Sequence, residues 1–209
     1  MIKVRVYALL ISVVLSLAGC STDWSSLQAA NATVKRDSKI STRYFRPYFK
    51  RAHVAYPPTD LALLIFKKSR VMEVYAKKNR HWRRIVTFPI LAASGHAGPK
   101  LKAGDQQVPE GIYHVVTLNP MSNFDLSMKI NYPNEFDRHW ARVSGRHHLG
   151  GEIFIHGGHR SIGCVAIGDW AIQRLYPLVR RVGESETTVV IAPGDFRRRQ
   201  RFVVRHAPR

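Results

Sequence analysis

Cysteine is nearly absent from this chain: Cys20 and Cys164 are the only two in 209 residues. Two thiols with unrelated surroundings cannot form the disulfide framework that staples small exported folds, so the fold must rest on an apolar core. Long hydrophobic runs are absent too, apart from Val6 to Leu17. That run is too short and too close to the N-terminus for a comfortable membrane span. Acidic residues are scarce: 14 Asp and Glu stand against 33 Lys and Arg, a formal net charge of +19. Internal repeats and low-complexity tracts are missing, and Pro and Gly are scattered. What remains is 45% apolar residues, enough for one domain with a substantial core.

The first twenty residues bear on compartment. Lys3 and Arg5 precede the apolar run, which ends in Leu17-Ala18-Gly19-Cys20. A basic head, an apolar run, small residues and then cysteine resemble a bacterial lipoprotein signal. The resemblance implies that residues 1–19 are removed, that Cys20 becomes the lipidated first residue, and that acyl chains hold the protein on a membrane. Ser21, rather than Asp, follows the cysteine. By the enterobacterial sorting pattern this implies the periplasmic face of the outer membrane, with the inner membrane as the lesser alternative. The positive charge calls for an anionic partner. Nucleic acid is the usual one, but an exported chain without a recognition motif is not expected to bind it. Peptidoglycan peptides with free carboxylates, lipopolysaccharide and anionic lipid remain.

Along the chain, Ser21 to Ala32 is Ser, Ala and Asn without clear periodicity and reads as a tether. Lys35 to Arg51 is basic, with Tyr44, Phe45, Tyr48 and Phe49 interleaved, and is expected to pack on the domain edge or approach lipid headgroups. Strands are expected at Leu61 to Phe66, Val71 to Tyr75, Arg84 to Ile90, Gly111 to Leu118, Glu152 to Ile155 and Thr187 to Ile191. Close turns between the first ones suggest an antiparallel meander. A helix is expected from Asp169, its N-cap, with Ile172, Leu175 and Val179 on one face. Pro177 should kink it or start a second short helix. The tail after Asp195 carries six arginines and no acid, as a solvated or anion-binding extension. The fold class is mainly β, with one or two packed helices.

Chemistry concentrates in one segment, from Ile153 to Ile167. His156 ends a strand candidate, and Cys164 follows eight residues later, after Ser161-Ile162-Gly163. A glycine-containing loop can fold back so that imidazole meets sulfur, which is what a cysteine nucleophile needs. Gly163 permits close backbone approach to a substrate carbonyl. N–H groups near Gly163 and Cys164 suit an oxyanion. The residues alone leave a buried, inert cysteine as the alternative.

His156-Gly157 followed by Ser161-x-Gly163-Cys164-Val165 resembles the active-site motif of the L,D-transpeptidase catalytic domain, the YkuD-type fold. Pro109-Glu110-Gly111-Ile112-Tyr113, Ser94-Gly95, Gly98-Pro99-Lys100, Gly104-Asp105 and Leu126 to Asn134 resemble further family segments, so the likeness covers roughly residues 60 to 195. It implies a YkuD-like β-sandwich and a cysteine enzyme acting on peptidoglycan stem peptides through a thioacyl-enzyme, with transfer to an amine. Cys164 would be the nucleophile and His156 its base. The Gly157 carbonyl would orient the imidazole, Ser161 would shape the loop, and Gly163 with Cys164 would supply oxyanion donors. Common members carry His and Arg where this chain has Ile162 and Ala166, and their His-to-Cys gap is longer. These departures resemble the YafK-like branch, one member of which releases covalently attached lipoprotein from peptidoglycan. A hydrolase of the same fold therefore stays open, as does a non-catalytic wall-binding lipoprotein.

Arg160, Lys100, Arg138 and Trp140 are candidates for substrate contact, arginine for its bidentate fit to carboxylates. No cofactor and no metal are expected. His147, His148, His156 and His159 cluster with Glu152 in sequence but lack a zinc-type spacing. Asp125, Asp137 and Asp169 are too separated to argue paired-carboxylate chemistry. Trp82, Trp140 and Trp170 read as core or rim aromatics. The expected organisation is 1–19 signal, 20–55 lipid-anchored tether and basic segment, 56–196 catalytic domain and 197–209 basic tail.

Overall fold

The structure is a computed structural model that describes residues 24–197. Its elements in chain order are α1 (Trp24–Arg51), β1 (Leu61–Phe66), β2 (Val71–Lys78), β3 (His81–Pro89), β4 (Ala92–Ala93), β5 (Gly111–Ser122), β6 (Asp125–Ile130), α2 (Glu135–Val143), β7 (Phe154–His156), β8 (Val165–Ala166), α3 (Asp169–Val182) and β9 (Thr187–Ala192). Cys20 and the lipoprotein reading lie outside the described residues. So does the tail beyond Arg197.

β1 has no polar residue, and all of it but Leu64 is buried. A strand without a polar face belongs inside a sheet covered on both sides. It lies between β2, antiparallel, and β9, parallel. β3 continues the expected meander beside β2. The full order is β3-β2-β1-β9-β5-β6-β7-β8-β4. β5 belongs to both halves of it: Gly111 to His114 pair with β9, and Val115 to Ser122 pair with β6. Register shifts within the β5–β6 ladder mark bulges, which bend a strand and raise its twist. The second half, β6-β7-β8-β4, carries the motif segment.

The fold is thus a multi-stranded sheet with a few helices, as expected of the YkuD type. All six expected strands are present, several with different ends. The parallel pairs β1–β9 and β7–β8 go beyond a simple meander.

α3 starts at Asp169 and buries Ala171, Ile172, Leu175, Tyr176, Leu178 and Val179. Two expectations about it are corrected. The N-cap is Gly168, without a side-chain hydrogen bond, and Asp169 turns its carboxylate elsewhere. Pro177 neither ends nor divides the helix. It is buried among those apolar neighbours, and their packing offsets the hydrogen bond its missing N–H forgoes.

The tether reading of Ser21 to Ala32 is also corrected, because α1 runs from Trp24. Its inward face is Val34, Asp37, Ser41, Phe45 and Phe49, a spacing of three and four residues. The two polar members hide the stripe from a hydropathy reading. Ser41 donates to the Arg174 carbonyl of α3 at 2.6 Å, so a polar residue suits the interface. Phe45 lies edge-on to Phe49 and Phe88. The aromatics of this segment therefore pack on the domain, while Lys35, Arg36, Lys39, Arg43 and Arg46 face out.

Arg197, read as part of a solvated tail, is docked. It binds both Asp195 and Glu73 and lies over the Phe66 ring at 5.0 Å. Trp82, Trp140 and Trp170 are all exposed by more than two-fifths, so they are rim residues and not core.

If α1 is integral, Phe45→Ala costs about 3–5 kcal/mol of stability, the range for a buried Phe truncated to Ala. Lys39→Ala on the outer face changes it by less than about 0.5 kcal/mol. Thermal and urea unfolding of both variants measure this, and a Phe45→Ala variant as stable as wild type would show that α1 is only an appendage.

Candidate active site

The β7–β8 pairing sets the geometry. Ile155 pairs with Val165 and His156 with Ala166, in parallel. Cys164, one residue before Val165, therefore stands opposite Phe154. Side chains alternate along a strand, so Phe154 and His156 share a face, as do Cys164 and Ala166. Carried one residue back from β8, this register puts thiol and imidazole on one face of two adjacent strands. Ile155 and Val165, on the other face, are anchored in the core.

His156 is buried. Its Nδ1 lies 2.6 Å from the Gly157 carbonyl oxygen. A carbonyl only accepts, so Nδ1 carries the proton and Nε2 keeps the lone pair. The Phe124 ring packs on the imidazole, with centroids 4.7 Å apart. Burial pushes the imidazole below its ordinary pKa, and the Gly157 hydrogen bond opposes the shift in part. Gly157 has no room for a side chain. A Cβ there would stand 2.4 Å from the Phe124 carbonyl oxygen and 2.6 Å from Asp169 Oδ1.

Cys164 is half-buried, and its thiol contacts the Glu152 carbonyl at 3.7 Å. Burial pushes the thiol above its ordinary pKa. The Phe154 N–H and the charge of Lys100 pull it down, and Glu152 pushes it up. Burial therefore disfavours the charged form of each group, imidazolium and thiolate alike.

Ser161 ties the His156-to-Cys164 loop together. Its hydroxyl donates to the Cys164 carbonyl at 2.7 Å, and its oxygen accepts from the N–H groups of Ser94 and Gly163 at 3.1 and 3.3 Å. Ser94 in turn donates to Gln106 O at 2.7 Å, fastening residues 94–107 beside the loop. Gly163, at φ +123°, holds a backbone conformation that favours glycine. With the Gly163 N–H turned to Ser161, the N–H of Cys164 is the better placed of the two expected oxyanion donors.

Lys100 is buried and paired with Asp105 at 2.6 Å. Asp105 also accepts the N–H groups of Leu101, Lys102 and Gln107, and these donors hold its carboxyl well below the usual range despite desolvation. This carboxylate pins the site's wall and carries no separate mark in the sequence beyond its Gly-Asp context. Of the expected substrate contacts, Lys100 is buried in its Asp105 pair, and its charge reaches Cys164. Arg160 is exposed on the His156-to-Cys164 loop. Arg138 and Trp140 stand on α2, where Arg138 donates to the Pro133 carbonyl and Trp140 packs against Phe136 and His139. Ile162 is 81% exposed at the loop tip, whereas Ala166 is fully buried in register with His156. Among the described residues no three His, Cys, Asp or Glu side chains converge as metal ligands would. No described helix is long and apolar enough to cross a membrane.

Residues 60–191 match the family model of the L,D-transpeptidase catalytic domain, YkuD, and the chain belongs to that family. YafK of Escherichia coli (strain K12), assigned to the L,D-transpeptidases, is 31% identical over 134 residues, 62% of this chain and 52% of that protein; YafK of strain O157:H7 matches equally. The chain thus spans about half the length of these relatives. Pgp2 of Campylobacter jejuni, solved as a helical cell shape determining protein, shares the fold with a TM-score of 0.53 at 23% identity, covering 68% of this chain and 50% of that one.

Two outcomes follow from the geometry. Alkylation of Cys164 by iodoacetamide should rise with pH through a midpoint above the ordinary thiol range, whereas a rate flat from pH 5 to 8 would show a resting ion pair. Gly157→Ala should lose about 1–3 kcal/mol of stability, as overpacking does, and slow alkylation at fixed pH by displacing His156; calorimetry and mass spectrometry read the two effects.

Proposed function

We propose that the chain is a cysteine acyltransferase that acts on peptidoglycan stem peptides through a thioacyl-enzyme. The observation that carries the reading is the joint placement of Cys164 and His156. The β7–β8 register supports this by bringing His156 and Cys164, the residue just before β8, to one face, and Nε2 is left as a base because Nδ1–H is committed to Gly157. Family membership supports cell-wall chemistry as the setting.

On this reading Cys164 Sγ attacks a stem-peptide carbonyl while its proton passes to His156 Nε2. The oxyanion faces the Cys164 N–H. The C–N bond breaks, His156 returns the proton to the departing D-Ala amine, and a thioester remains. An amine acceptor resolves it by the reverse sequence, and His156 takes that amine's proton. Water in the acceptor's place would make the same site a hydrolase that trims stems or frees an attached lipoprotein. Arg160, exposed on the loop, supplies positive charge for stem carboxylates. The N-terminal pattern extends the proposal to a lipid anchor at Cys20 on the periplasmic face of the outer membrane.

The test uses the chain lacking residues 1–20, incubated with intact sacculi that carry tetrapeptide stems and covalent lipoprotein. Liquid chromatography–mass spectrometry then follows every product. New dimers with release of D-Ala are expected from wild type and absent with Cys164→Ala. Shortened stems or freed lipoprotein without dimers would replace transfer by hydrolysis. Equal products from both proteins would overturn Cys164 as nucleophile, and binding without turnover would favour a wall-binding protein.

A further inference from the structure

The peptide unit between Gly157 and Gly158 is held on both sides. Its carbonyl oxygen accepts the His156 Nδ1–H at 2.6 Å, and its N–H donates to Asp169 Oδ1 at 2.6 Å. The bond is trans, so the two groups point to opposite edges of one plane. Imidazole and carboxylate are thereby joined through a single amide. We propose that Asp169 is a positioning residue for His156, the carboxylate end of a relay that runs Cys164, His156, the Gly157–Gly158 amide and Asp169.

The physical reason lies in how an amide polarises. A carboxylate that accepts the N–H shifts electron density towards the carbonyl oxygen. That oxygen becomes a stronger acceptor for Nδ1–H. It then holds the ring more firmly with Nε2 towards the sulfur and stabilises the imidazolium that forms when the thiol gives up its proton. In a Ser-His-Asp triad the carboxylate touches the imidazole directly. Here one peptide group lies between.

Three further observations support this role. Asp169 does not serve its own helix as a cap, since Gly168 holds that position without a side-chain bond. The side chain crosses instead to the 157–158 peptide, and it comes so close that Gly157 could carry no Cβ. Asp169 also occupies the first turn of α3, where the helix dipole favours a negative charge.

Other charged groups around His156 do not duplicate it. On β6, Asp125 accepts from Gln173 at 2.9 Å and feels the charges of Asp169 and Asp37. Asp37 on α1 is paired with Arg36. On the sulfur side, Cys164 stands near Glu152, which pairs with Lys129, and near Lys100, which pairs with Asp105. His159 and Arg160 are exposed on the loop. Among these hydrogen bonds only Asp169 holds the amide that bears on Nδ1.

Asp169→Asn separates charge from shape, because the amide oxygen can still accept the Gly158 N–H. Asp169→Ala removes both. With 13C-labelled histidine, NMR titration follows His156, assigned by the signal lost in His156→Gln. Weakening the acceptor costs the imidazolium its support, so the His156 midpoint should fall in Asp169→Asn and fall further in Asp169→Ala. On stem-peptide substrate kcat should drop about tenfold in Asp169→Asn with KM nearly unchanged, the scale of one weakened charge-assisted hydrogen bond. Unchanged midpoints with only a lowered melting temperature would reduce Asp169 to a structural residue and overturn the proposal. So would a shifted midpoint with unchanged kcat. If Asp169→Ala does not melt cooperatively, Asp169→Asn alone decides. The kinetic arm rests on the proposed function, whereas the titration does not: a wild type without turnover would end that reading and leave the His156 midpoints to judge the relay.

Discussion

The site depends on a short piece of parallel pairing. β7 and β8 contribute only three and two residues, yet their register decides which side chains meet. A slip by one residue would turn either His156 or Cys164 to the core face. The register is defended from both sides. Ile155 and Val165 are buried beneath the pair, and β6 clamps β7 through Ser127, Met128 and Lys129. The connection between the strands must then return within eight residues, from Gly157 to Cys164. That tightness explains the glycines, the hub at Ser161 and the contact from the 157–158 peptide to the start of α3.

The rest of the fold supports this clamp from a distance. β1, buried on both faces, gives a rigid centre. β5 carries the chain from that half of the sheet to the half that holds the motif. α3 begins five residues after Cys164 and packs its apolar face inward, so its first residue reaches the peptide next to His156. α1 braces α3 through Tyr44, whose ring meets Trp170 edge-on at 5.3 Å, and the Ser41 bond to Arg174. A fault in that brace would reach the site through α3 and not through any contact with substrate.

Much of this was legible in the sequence, and the exceptions have physical causes. β1 and β9 are apolar runs between turn residues, and they declared themselves. The Cys and His segment was readable because its residue types are rare in combination. α1 was not, since Asp37 and Ser41 sit on its buried face and break the apolar stripe. α2 was missed because only Ala141 of its nine residues is buried. Its start is fixed instead by a capping box, Asn134 with Asp137. Asp169 reads as a cap from its neighbours in sequence, and only the fold brings Gly158 to it. Asp105 is similar, because its four partners become visible only when the loop closes. Arg138 was a candidate for its fit to carboxylates and Trp140 for its place in the sequence, and the fold gives both contacts local to α2.

The electrostatics of the pair suit the bond it is proposed to cut. Burial disfavours both charged forms, lifting the thiol and lowering the imidazole. A separated ion pair would have to persist in a partly dry site, whereas a neutral pair has no such charge to sustain. Proton transfer is then tied to sulfur–carbon bond formation, when the oxyanion and its donor are present to balance the imidazolium. The leaving group is an amine, which needs a proton as the C–N bond breaks. In the proposed acylation the proton that leaves Cys164 is the one His156 delivers, so the pair begins and ends the step without net charge. Such a site gains from an acceptor on Nδ1–H whose strength can be adjusted without adding a full charge beside the ring. A carboxylate placed one amide away has that property.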